Sequence, residues 1–126
     1  MRALLPLLLL GALPALAQAE PRRVLGYAGM LGEWELTATV NEKKHWRSRE
    51  FSGPLSMKHV GICTRDGPEE RSGQIRFQIS ALSSRLDATL LIDGQACTYS
   101  ARSSDPYSGV MACPDREAVP LKLWLR

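Results

Sequence analysis

Helical periodicity is what this sequence most plainly lacks. No window among its 126 residues carries apolar side chains at i, i+3 and i+4 for long enough to build an amphipathic helix, which excludes bundles and doubly wound α/β folds. Histidine is scarce, with only His45 and His59, so general acid–base chemistry has few candidates. There is no nucleophile elbow, no phosphate-binding loop and no zinc-protease motif. Paired acids such as Glu69 and Glu70 sit beside Arg65 and Arg71 in a polar loop, where solvation explains them. An enzyme is therefore the minority reading, and no cofactor is expected. A formal net charge of +3 is too mild to demand a nucleic-acid partner. No repeat or low-complexity segment is found outside the first residues, and no second apolar run is long enough to act as a stop-transfer helix.

What is present begins with an address. "MRALLPLLLLGALPALAQA" has a cationic Arg2, an apolar run from Ala3 to Leu16 and small residues at Ala15, Ala17 and Ala19. That is the layout of a secretory signal peptide over residues 1–19, and the run is too short for a comfortable membrane span. No Cys stands near the cleavage point, so a lipid anchor is not expected. The expectation is a single β domain over residues 20–126, monomeric, without a transmembrane segment, and periplasmic or extracellular. A domain of this size buries a modest core, and a covalent staple would help it.

Strand signals follow one another from residue 32 onward. "EWELTATV" and "QIRFQIS" alternate apolar with polar residues, and Asp93-Gly94 is a strong hairpin turn between "LDATLLI" and "QACTYSA". Seven to eight short strands joined by tight turns make an antiparallel meander. Such a meander hides its apolar face and edges as an up-and-down β-barrel, or alternatively as a β-sandwich. The segment from Pro21 to Leu31 reads as a short helix or an N-terminal plug, with Gly26 and Gly29 counting against a stable one. A two-residue turn at Asp93-Gly94 pairs Ile92 with Gln95, Leu90 with Cys97 and Ala88 with Tyr99. A turn centred on Asp105 pairs Tyr99 with Met111 and Cys97 with Cys113. A three-residue turn at "DRE" sets Cys113 opposite Val119. Every inward position is then apolar or Cys, with Trp34, Leu36, Ile75, Phe77, Leu90, Tyr99, Leu121 and Leu123 in the core.

The register makes Cys97 and Cys113 cross-strand neighbours, and export favours their oxidation. Pairings of either with Cys63 remain open at this stage. His59 and Cys63 would stand about 13 Å apart on a strand, too far for one metal ion, so no metal site is expected. The sharpest surface feature is "EKKHWRSRE", where Lys43, Lys44, Arg47 and Arg49 surround Trp46. A large ring among long cations suits an exported protein or an anionic glycan or lipid surface. Against this, the segment also reads as a solvated hairpin tip. Tyr107, beside Asp105-Pro106, is the second candidate contact.

Gly32-Glu33-Trp34, on the first long strand of such a meander, resembles the calycin superfamily, including lipocalins, avidins and the small bacterial metalloprotease inhibitors. The resemblance implies an up-and-down barrel in which Gly32 permits close backbone packing and Trp34 plugs the closed end. The second and third lipocalin motifs are not evident, and the Cys placement departs from the inhibitor type. The expectation is a non-catalytic, inhibitor-like binding module working through surface loops, with a carrier of a small apolar ligand as the alternative.

Overall fold

The computed structural model describes residues 21–30, 32–60, 69–102 and 105–126. Residues 1–19, expected to be a signal peptide, and Cys63 lie outside the described residues, as do Ser103 and Ser104 between β6 and β7. Eight strands follow in chain order: β1 Arg22–Ala28, β2 Trp34–Lys44, β3 Ser48–His59, β4 Glu70–Ser80, β5 Leu86–Ile92, β6 Gln95–Arg102, β7 Tyr107–Ala112 and β8 Val119–Leu125. Each pairs antiparallel with its chain neighbours, and β1 pairs with β8, so the sheet closes into an up-and-down barrel. Closure leaves no edge strand, which decides the barrel over the sandwich. Among the described residues there is no helix.

Period-two alternation places the side chains. In β5, Leu86, Ala88, Leu90 and Ile92 are buried while Asp87, Thr89 and Leu91 are exposed. The interior is apolar throughout, with no buried charged residue among those described. The outer wall carries Arg, Glu, Ser and Thr. That is the reverse of a transmembrane barrel, whose outer band is apolar. Phe51 and Phe77, facing each other from β3 and β4, stack with centroids 4.8 Å apart and fill one end with Leu86, Ile79 and Val40. Of the expected core, all but Trp34 are buried; Trp34 is half-buried.

Three sequence expectations need correction. Residues 22–28 form neither helix nor plug but the strand that closes the barrel. Gly26 is what lets β8 come close, because a Cβ there would collide with Leu123 and the Lys122 carbonyl. The last hairpin is displaced by two residues: Met111, not Cys113, stands opposite Val119. Cys113 is held across β6 by its bond to Cys97, which leaves residues 113–118 as a longer connection. An even displacement keeps every inward residue inward, so the faces survive the error. Finally, Glu70, Arg71, Ser72 and Gly73 belong to β4 and not to the preceding polar loop.

Candidate functional site

The barrel has two unlike ends. One carries the β2–β3 tip, the β4–β5 turn, Arg102 and Asp105; the other carries Gly29, Met30, Gly32, Glu33, Val60, Glu69, the Asp93-Gly94 turn and residues 113–118.

At the first end the predicted cationic stretch is a long hairpin whose tip is His45, Trp46 and Arg47. Trp46 is 86% exposed, and the Arg47 guanidinium lies 4.1 Å from its ring centroid. Arg49 is not available to a partner in the same way. Its Nε donates to Glu42 at 2.6 Å, and its guanidinium lies 5.2 Å from the buried ring of Phe51. It caps the filled end of the barrel. The hydrogen bond from Arg49 holds the Glu42 carboxyl below the ordinary carboxylate range. Glu50 is likewise lowered, first by its hydrogen bond with His45 at 2.7 Å and then by that with Arg76. Both acids of the stretch are thus neutralised locally. Lys43, Lys44 and Arg47 have no carboxylate within ion-pair distance among the described residues.

Tyr107 is a correction. It is 8% exposed, faces inward opposite Leu123 and belongs to the core, not to an exposed turn. Alternation along β7 dictates this: with Met111 inside, Gly109 and Tyr107 share its face. Burial raises the Tyr107 hydroxyl above its ordinary pKa.

The second end holds a feature that sequence reading missed. A cup of about 370 Å³ opens there, walled by Trp34, Met57, Ile92, Met111 and Val119 and by the Cys97–Cys113 disulfide. Its polar lining includes Arg71, Asp93, Gln95, Arg116 and Glu117. Trp34 is thus half-buried in the wall of the cup. His59 packs edge-on against Trp34 at 4.7 Å, opposite it in the β2–β3 register. Above the same ring lies Arg71, 5.4 Å from the centroid. Its terminal nitrogens meet Glu69 at 3.1 Å and Asp93 at 3.7 Å, while its Nε is buried with no hydrogen-bond partner. Gly32 adopts a positive φ of 66° in the connection that delivers Trp34.

Chemically, the cup offers apolar walls, a sulfur–sulfur bond and a charged rim. No group of three His, Cys, Asp or Glu side chains is placed to hold a metal ion among the described residues. The cup was invisible in the sequence because its wall comes from six strand ends scattered along the chain. The one available signal was that the inward alternation of β5, β6 and β8 runs on to Ile92, Cys97 and Val119 at a single end. Comparison with known proteins found no family model, curated protein or solved structure that matches the chain.

Proposed function

We propose that this protein is a non-catalytic binding module that holds one small, largely apolar molecule in the cup. The observation that carries the reading is the cup itself. An eight-stranded barrel encloses just enough room for side chains or one small ligand. Here side chains fill one end and leave about 370 Å³ at the other. That volume lies in the range of small-molecule sites, and its mix of apolar wall and sparse polar rim is characteristic of them. The rim carries charges of both signs, Arg71 and Arg116 with Asp93 and Glu117, which suits a ligand without net charge. The unpartnered Arg71 Nε–H is a donor that a rotation of the guanidinium would present to a neutral acceptor such as a carbonyl or ether oxygen. The leader-like first segment and the disulfide support a place outside the cytoplasm.

The test is titration with the neutral fluorescent probe N-phenyl-1-naphthylamine, in wild type and in a Val119→Trp variant that fills the cup. Saturable one-site binding by wild type and its loss in the variant, with the fold intact by circular dichroism, is the expected result. Equal binding by both proteins, or none by either, removes the reading.

A second reading assigns recognition to the β2–β3 tip at the far end, as in an inhibitor-like surface module. Trp46 supports it: apart from the Arg47 guanidinium over its face, this large ring stands in solvent and takes no part in the core.

A further inference from the structure

We propose that the end of the barrel opposite the cup docks on an anionic lipid bilayer, with Trp46 and Leu82 entering the interface and Lys43, Lys44 and Arg47 reading its charge. This rests on the reading of the β2–β3 tip as a recognition surface and names its partner.

Two neighbouring loops build the surface. The β2–β3 tip carries Trp46, and the β4–β5 turn carries Leu82, which is 82% exposed. Register brings them together: Ser48 pairs with Ser80, and the Ala81 N–H donates to the Arg47 carbonyl at 3.0 Å. Two large apolar side chains thus project from adjoining loops that are tied by a backbone hydrogen bond. None of the three principal cavities is lined by either residue, so the feature is convex and not a groove. A projecting ring and a projecting alkyl group match a fluid surface that deforms around them. Tryptophan is the residue that settles at headgroup depth, with aliphatic side chains beside it reaching the acyl boundary.

Charge points the same way. At this end the acids are spoken for: Glu42 by Arg49, Glu50 by His45 and Arg76, Asp87 by Arg85, and Asp105 lies 3.8 Å from Arg126. Lys43, Lys44, Arg47 and the exposed Arg102 have no such partner among the described residues. Around the cup no such surplus of unpaired cations forms among the described residues: Arg71 pairs with Glu69 and Asp93, Lys58 with Glu70, and Arg116 lies between Asp115 and Glu117 in the chain. An anionic bilayer therefore attracts the tip more strongly than the cup end. The barrel stands on its tip, and the cup opens toward water.

Co-sedimentation with vesicles tests this. The full mature chain is mixed with vesicles of phosphatidylcholine containing phosphatidylglycerol, and with vesicles of phosphatidylcholine alone. Binding to the anionic vesicles, weak binding to the neutral ones and release as salt rises is the expected pattern. Replacing Lys43 or Lys44 by Gln loosens binding about five-fold each. Trp46→Ala loosens it about ten-fold by removing the buried ring. All three residues are solvent-exposed, so the fold is unaffected by their loss. Equal vesicle binding by wild type and Trp46→Ala overturns both the lipid proposal and the reading of the tip. No vesicle binding by wild type overturns the lipid proposal alone. A pull-down from the exported fraction, comparing wild type with the Trp46→Ala, Arg47→Ala double variant, then decides whether the tip recognises another partner. Binding to soluble heparin that persists in Trp46→Ala assigns the cations to a glycan and removes the bilayer.

Discussion

Cys97 and Cys113 face each other across the β6–β7 hairpin with their Cα atoms 4.3 Å apart, and their bond forms part of the wall of the cup. It closes a stretch with a sequence separation of 16 and anchors the connection to β8. A cross-link of that span stabilises a fold by about 3 kcal/mol, chiefly by restricting the unfolded chain. The Cys97→Ala, Cys113→Ala double variant is therefore expected to lose about that much in urea denaturation. It should also bind the neutral probe more weakly, because one wall of the cup is released. Unchanged stability would mean that neighbouring strands already hold the hairpin.

At Gly73 the β5 backbone leaves no room for a side chain. A Cβ at this position would lie inside the van der Waals radius of the Leu91 carbonyl oxygen, a backbone atom that cannot step aside. Gly73→Ala is expected to destabilise the barrel by about 1–3 kcal/mol or more through overpacking. Gly94→Ala is the useful contrast, since its site is sterically open and only its φ of 81° resists the change. A smaller loss at Gly73 than at Gly94 in thermal or chemical unfolding would contradict this.

Burial of Tyr99 makes its contribution to stability dependent on alkaline pH. Its hydroxyl donates to the Leu121 carbonyl at 2.8 Å, with the Tyr107 carbonyl at 3.1 Å, and burial raises its pKa from 10 to about 12. Two carbonyl oxygens welcome a donor and repel a phenolate. The unfolded chain thus gives up this proton near pH 10, while the folded chain keeps it to about pH 12. The contribution is complete below pH 10 and is lost as pH climbs from 10 toward 12, on the order of 2–3 kcal/mol in all. Tyr99→Phe is expected to flatten that limb of the stability profile measured by denaturant titration. A Phe variant with the same alkaline slope as wild type would shift the effect to another group.

Register is legible in this sequence wherever a single hairpin specifies it. Asp93-Gly94 pinned Ile92 to Gln95, and the register carried through Leu90 and Cys97 to Tyr99 and Met111, as the ladder has it. The same alternation, extended four residues from Met111, would have placed Tyr107 inside; the neighbouring Asp-Pro drew attention to a turn instead. The last hairpin slipped by two because its length depends on the disulfide holding Cys113 to β6, a restraint the strand pattern does not contain.

What the amino-acid order determined by itself was local: the period-two faces, the turn at Asp93-Gly94, the adjacency of Cys97 and Cys113, and the cluster of cations around Trp46. What only the tertiary structure decided was closure and its consequences. "RRVLGYA" has apolar residues on both faces and no alternation to read. It becomes a strand because β2 and β8 supply hydrogen-bonding partners on either side, and because Tyr27 on its outer face finds the Trp124 ring at 5.9 Å. Closure likewise brought Arg71, Trp34, Ile92, Cys97 and Val119 around one opening, from positions up to 85 residues apart. It also turned Arg49 inward over Phe51 while leaving Lys43, Lys44 and Arg47 in solvent. A strand pattern specifies which face a side chain takes, but which end of a barrel it reaches is set by how many residues each neighbouring strand contributes, and that is known only once the sheet has closed.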